Sequence, residues 1–158
     1  MSSETSTPTA PGLRHVMTIQ VSVSEPIDLG EGPDGWRRIV PIESGVVTGE
    51  ITGRVLPGGA DFQVRRPDGV TGLEARYPIE LDDGTILEMT NEAIRAGSAE
   101  DIDRLMAGEP VDPERIYFRG TPHLRAPEGP WDWVNRTVFV ATGVRRPSAV
   151  EIVVFAVE

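Results

Sequence analysis

The sequence predicts an all-β fold, a single antiparallel β-barrel of about 8–10 strands with one short helix. Three observations carry this expectation. The 158 residues include 17 Gly and 14 Pro, which implies many turns and little uninterrupted helix. Successive segments alternate apolar and polar residues with the period of two that marks a half-buried strand. Glycine turns separate several of these segments, as in a meander of antiparallel strands.

The first segment, residues 15–24, sets Met17, Ile19, Val21 and Val23 against Thr18, Gln20 and Ser22. Pro26, Gly30, Gly32, Pro33 and Gly35 then read as a long irregular connection to a strand over about 37–42. Residues 46–56 make a third strand, in which Gly49 and Gly53 read as interior glycines that let a barrel wall curl. Gly58-Gly59 turns the chain into 61–66, Pro67-Asp68-Gly69 into 71–81, and Asp82-Asp83-Gly84 into 85–91. The acidic pair before Gly84 lacks the further ligands of a calcium loop and reads as a turn. The helix falls at 99–107, with Ser98 as N-cap, Glu100 and Asp101 in the first turn, Ile102, Leu105 and Met106 on one face, and Gly108 as terminator. Strands over 116–125, 133–142 and 149–157 complete a count of about nine. The last is apolar on both faces, so it should be covered on both: by a core inside, and by the helix or a second subunit outside.

Size and composition bound the function classes. One domain over residues 13–158 follows a Ser/Thr/Pro-rich stretch, 1–12, that reads as a flexible tail and lacks the apolar centre of a signal peptide. The absence of Cys excludes disulfides, thiolate metal sites and a cysteine nucleophile. A net charge of −10, with the 15 basic residues dispersed singly or in pairs, argues against a nucleic-acid partner. No apolar run is long enough to span a membrane as a helix, and the expected address is the cytoplasm. His15 and His123 are the only imidazoles, and neither has the partner spacing of a helical metal site, so no metal is expected. No G-x-S-x-G elbow and no P-loop lysine occur, which disfavours a serine nucleophile and nucleotide phosphate binding.

Alternation sorts the polar residues into sets even before their direction is known. Asp61, Gln63 and Arg65 share one face, opposite Phe62 and Val64. Glu74, Arg76 and Glu80 oppose Leu73, Ala75, Tyr77, Ile79 and Leu81. Tyr117, Arg119, Thr121 and His123 oppose Ile116, Phe118 and Gly120, while Trp133, Asn135, Thr137 and Phe139 oppose Val134, Arg136, Val138 and Val140. Sets that face inward would line a polar pocket, and sets that face outward would be solvated. A buried Asp61 beside a buried arginine could equally be a structural ion pair, because a lone charge in a core costs several kcal/mol.

The segments Pro57-Gly58-Gly59-Ala60-Asp61-Phe62-Gln63, Arg66-Pro67-Asp68-Gly69, Glu74-Ala75-Arg76-Tyr77, Tyr117-Phe118-Arg119, Trp133-Val134-Asn135-Arg136 and Phe139-Val140 together resemble the family filed as domain of unknown function 3237. The likeness runs in order over about 13–157. It implies a small, cofactor-free antiparallel barrel, bacterial or fungal, with some members near secondary-metabolism or aromatic-degradation genes. It points to Asp61, Gln63, Arg76, Arg119 and Asn135. This chain departs from the family's pattern at Phe62, where Trp is usual, and at Arg125, where an acidic residue is common.

The resulting expectation is a small-molecule-acting, cofactor-free enzyme of cyclase, isomerase or lyase type with a polar pocket inside the barrel. Asp61 is the candidate acid or base, and Arg76 and Arg119 the candidate oxyanion stabilisers. Gln63, Tyr117, Thr121, Trp133 and Asn135 are the candidate ligand-positioning residues, and a homodimer is the candidate assembly. The alternatives are a non-catalytic small-molecule binding protein using the same cavity, and a purely structural polar network.

Overall fold

The computed structural model describes residues 6–158, so residues 1–5 of the expected tail lie outside the described residues. Ten strands, all paired antiparallel, follow the order β1 (Leu13–Val23), β2 (Ile27–Gly32), β3 (Gly35–Gly49), β4 (Gly53–Val55), β5 (Gly59–Arg65), β6 (Thr71–Leu81) and β7 (Ile86–Ala96), then β8 (Tyr117–Arg125), β9 (Phe139–Arg145) and β10 (Ala149–Val157). Among the described residues a single α-helix, α1 (Ala99–Met106), lies between β7 and β8. The sheet runs β1-β10-β9-β8-β7-β6 and reaches β3 through β5 and β4, and β3 returns to β1. Because β4 and β5 occupy one place in the wall, the closed circuit has eight strand positions, the size whose interior side chains nearly fill.

The long strand β3 makes closure possible. Its first half pairs with β5, through Trp36 to Ile42, and its second half pairs with β4 on that same edge and with β1 on the other. Two sequence expectations change here. The two strands expected over 37–42 and 46–56 are one continuous strand followed by the short β4, and Gly49 stands not in a strand interior but at its end, at φ +124, a conformation that favours glycine. The connection expected to be irregular contains β2, which pairs with the start of β3. Its few apolar side chains gave no strand signal, and Asp28 holds it by accepting hydrogen bonds from the Gly30 N–H and the Trp36 indole N–H, both at 2.7 Å.

The expected strand over 133–142 begins only at Phe139. Residues 132–136 form a 3₁₀ turn instead, because Trp131 and Trp133 follow Pro130 and pack with the fully buried Val134 against the core. The Trp131 indole donates to Asp83 at 2.7 Å, and the Asn135 amide both donates to the Ala126 carbonyl and accepts from its N–H, each at 2.9 Å. The helix matches its expected start: the Ser98 hydroxyl accepts from the Asp101 N–H at 3.1 Å, and Ile102 and Leu105 are buried. Two ion pairs fix α1 in place, Arg65–Asp103 at 2.7 Å and Arg115–Asp101 at 3.1 Å.

The interior divides along the barrel axis. Towards the 3₁₀ turn it is filled by large apolar side chains, among them Met17, Ile19, Ile79, Leu87, Met89 and Phe139. Towards the ends of β5 and β7 it carries Gln63, Asn91, Arg38 and Arg95, all buried. The apolar half supplies the stability: each fully buried Ile or Leu contributes about 1.5–3 kcal/mol. Ile79→Ala should therefore lower the free energy of urea unfolding by about 2–5 kcal/mol. The exposed Ile86→Ala, on the neighbouring strand, should change it by less than about 0.5 kcal/mol.

Candidate active site

Strand register assembles the polar end of the barrel. One cross-strand row runs Val40, Asp61, Ala75, Asn91, Pro122, and the next runs Arg38, Gln63, Leu73, Ala93, Gly120, Ala141. A third row carries Arg95 opposite Phe118. Small residues at Ala75 and Ala93 leave space in the wall, and Gly120 lets the Asn91 amide lie against the β8 backbone, where a Cβ would stand 2.4 Å from Asn91 Oδ1. The result is an interior cavity of about 50 Å³, lined by Arg38, Asp61, Gln63, Tyr77, Asn91, Arg95 and Arg145 together with apolar side chains.

A directed hydrogen-bond chain orders this lining. Arg38 Nε donates to Gln63 Oε1 at 2.7 Å, and Gln63 Nε2 donates to Asp61 Oδ2 at 2.8 Å. Since Arg38 can only donate, it fixes which end of the Gln63 amide is the acceptor and therefore which end meets the carboxylate. Asp61 Oδ1 is sealed from solvent and has no hydrogen-bond partner among the described residues, and the same holds for Asn91 Oδ1 and Arg95 Nε. Three buried polar atoms, one on β5 and two on β7, thus line the same cavity unpaired.

Burial dominates the electrostatics. It raises the Asp61 carboxyl above its ordinary value, against the opposing Gln63 hydrogen bond and the charges of Arg95, Arg38 and Arg145. Burial lowers Arg95 to about 10, reinforced by the Arg38 charge, and also lowers Arg38 and Arg145. The Tyr77 phenol is raised by burial and by the Asp61 charge, so it stays protonated and able to donate. Among the described residues no group of three or more His, Asp or Glu side chains is arranged to hold a metal ion.

Of the residues singled out by sequence, Asp61 and Gln63 face this cavity. Arg76 and Arg119 do not, because each sits one residue from an inward side chain and alternation turns it outward. Arg76 is exposed and paired with Glu88 at 3.0 Å, whereas Arg119 donates to the Phe118 carbonyl at 3.0 Å and its guanidinium lies 5.5 Å from the Tyr117 ring. Tyr117, Arg119 and Thr121 border a shallow groove on the outer wall with Phe62, Glu74 and Glu92. Trp133 packs on Phe139 at the apolar end, 6.2 Å between ring centroids, and Asn135 is exposed and pinned to Ala126. The inward cations are instead Arg38, Arg95 and Arg145. Arg38 shares its alternation set with Val40 and Ile42, a signal present in the sequence, while Arg95 and Arg145 stand at the far ends of β7 and β9, past where those strands were expected to stop.

A closed eight-position barrel with an apolar half and a titratable, partly unpaired polar cavity defines a class of small antiparallel barrel proteins. The particular family follows from comparison: the profile described as "Protein of unknown function (DUF3237)" matches residues 11–157, and the chain belongs to that family. It is 42% identical over 139 residues to the UPF0311 protein blr7842 of Bradyrhizobium diazoefficiens, an alignment spanning 88% of this chain and 91% of that one. The crystal structure of the conserved protein of unknown function RPA1785 from Rhodopseudomonas palustris superposes with a TM-score of 0.88 at 41% identity, over 96% of this chain and 100% of that one. The crystal structure of an enzyme from Penicillium herquei shares the fold at a TM-score of 0.72 and 16% identity, over 97% of this chain and 98% of that one.

The raised Asp61 carboxyl has a definite consequence for stability. Its neutral form is favoured in the folded state, so its contribution is fully present below the ordinary value of 3.8 and is lost as pH rises through the elevated native value. Asp61→Asn is neutral throughout. Its stability relative to the parent should therefore climb as pH rises above about 4 in chemical denaturation, until the elevated native value is passed. A difference that stays constant with pH would show that Asp61 titrates like a free carboxylate.

Proposed function

We propose that this protein is a cofactor-free enzyme that moves a proton on a small oxygen-bearing molecule inside the barrel, in a cyclisation, isomerisation or elimination. Asp61 is the acid–base group, with Oδ2 held by Gln63 and Oδ1 facing the substrate. The Tyr77 hydroxyl and the Arg95 guanidinium stabilise the oxyanion that develops when a proton leaves a carbon next to a carbonyl. Burial that raises a carboxyl brings it nearer the neutral pH at which a general base works best.

The observation that carries the reading is the set of unpaired buried atoms, Asp61 Oδ1, Asn91 Oδ1 and Arg95 Nε, in the lining of one cavity. A polar network with a purely structural role satisfies its members internally, since each orphaned buried group costs about 1–3 kcal/mol. Only the Arg38–Gln63–Asp61 stretch is satisfied in that way. A further support is that a distant structure sharing this fold is called an enzyme.

Proton transfer can be tested without knowing the substrate. Acetoacetate and acetylacetone in D₂O report C–H exchange by proton NMR. The wild type should accelerate exchange of at least one of them, and Asp61→Asn should remove about 100-fold or more of that acceleration while the fold is retained. Saturable binding of both probes with no accelerated exchange would instead favour the non-catalytic binding protein.

A further inference from the structure

The arginines of this chain divide into two populations. Ten of the 15 form ion pairs among the described residues: Arg14, Arg37, Arg54, Arg65, Arg66, Arg76, Arg104, Arg115, Arg136 and Arg146. Of the five that remain, Arg119 and Arg125 are exposed on the outer wall. The other three, Arg38, Arg95 and Arg145, line the interior cavity, where Asp61 is the only carboxyl among the described residues. With Asp61 ionised the lining carries a charge of +2, from three guanidiniums and one carboxylate, and with Asp61 neutral it carries +3. This occurs in a chain whose net charge is −10, so the positive cavity is not a by-product of composition.

Such a lining holds three guanidiniums against a single carboxyl. Arg95 is 2% exposed, its Nε has no hydrogen-bond partner among the described residues, and its guanidinium carbon lies 5.7 Å from the centroid of the Phe118 ring. Arg38 spends Nε on Gln63 and lies over Trp36 in the same manner. A guanidinium taken out of water remains costly until an anion or several acceptors meet it. The unpaired oxygens of Asn91 and Asp61 ask for the opposite partner, a donor. The free space of about 50 Å³ holds only a few waters, or the head of a ligand whose remainder extends past the less buried Arg145.

We infer that the cavity takes a small organic monoanion, a carboxylate or enolate, whose charged oxygen lies on Arg95 and Arg145 and whose neighbouring O–H is donated to Asn91 Oδ1 or Asp61 Oδ1. This rests on the cavity being the ligand site, as in the function proposed above, and adds the ligand's charge and its donor. Glycolate has both features, acetate lacks the hydroxyl, and glycolamide keeps the hydroxyl but is neutral. Each is titrated into uniformly ¹⁵N-labelled protein at low salt, with backbone and arginine Nε resonances recorded.

Glycolate should bind tighter than acetate, and glycolamide at least about tenfold weaker than glycolate, as for loss of a charge-assisted hydrogen bond. The shifts should centre on Arg95 Nε and the Asn91 side-chain amide. Arg95→Met should abolish the preference for glycolate over glycolamide. If Arg95→Met does not fold, Arg145→Met, at a half-buried position, should reduce that preference several-fold. Equal affinity for glycolate and glycolamide, shifts confined to the outer groove around Tyr117 and Thr121, or no binding of glycolate at any concentration would overturn the inference. The two readings fail separately. Glycolate selectivity without exchange of either carbonyl probe removes catalysis and leaves the anion site, whereas Asp61-dependent exchange of neutral acetylacetone with no glycolate selectivity removes the anion site and leaves catalysis.

Discussion

A sheet that closes on itself leaves no free edge, and in this chain closure depends on β3 pairing with different strands along its two halves. Once the wall is closed, every side chain is committed to the interior or the exterior, and a shift of register by one residue would exchange the two sets. Asp61 and Arg76 illustrate how strict that division is. Their strands pair directly, with Asp61 opposite Ala75, yet Arg76 is one residue further on and therefore belongs to the outer surface.

The polar cavity depends in turn on the opposite end of the barrel. Charged and amide groups are costly to bury, and a barrel lined with them throughout would not hold together. Here the 3₁₀ turn carrying Val134 closes one end over a packed apolar core, and that half provides the cohesion that lets the other half carry unpaired atoms. The two halves also differ in side-chain size. Ala75 and Ala93 replace bulk where the cavity lies and Gly120 makes room for the Asn91 amide beside it, so the space is a consequence of residue choice rather than of a gap between strands.

Much of this was legible in the sequence, for identifiable reasons. Period-two alternation placed β6 and β10 at their observed limits, and the Ser98 cap marked the helix start, because in both cases the signal is local. A glycine turn and alternation grouped Asp61 with Gln63 but left the direction of the set open, because the opposing Phe62 and Val64 are apolar and Phe62 is nonetheless exposed. What was not legible depends on where strands end. Extending β7 beyond Asn91 continues the set Leu87, Met89, Asn91, Ala93 to Arg95, and extending β9 to Arg145 does the same from Phe139, Ala141 and Gly143. Strand ends are held by cross-strand partners such as Phe118 opposite Arg95, which a single segment does not reveal. Trp133 misled for a related reason: its alternation with Val134 and Asn135 imitates a strand, while indole packing and the Asn135–Ala126 hydrogen bonds produce a 3₁₀ turn.

The choice of arginine for all the interior cations has a chemical consequence. A buried lysine can shed its proton and so relieve its own desolvation, but a guanidinium cannot do so near neutral pH. Even with burial and a neighbouring cation lowering it to about 10, Arg95 stays charged, and the Arg38 chain stays a donor. The titrating partner is then Asp61, whose proton responds to what the arginines bind: an anion that neutralises them withdraws the charge favouring the carboxylate and raises the carboxyl further. Ligand charge and Asp61 protonation are thereby linked through one set of side chains. An anionic ligand on Arg95 and Arg145 would thereby strengthen Asp61 as a base, and the protonated Tyr77 phenol in the same lining would remain the donor for an oxyanion which that base creates.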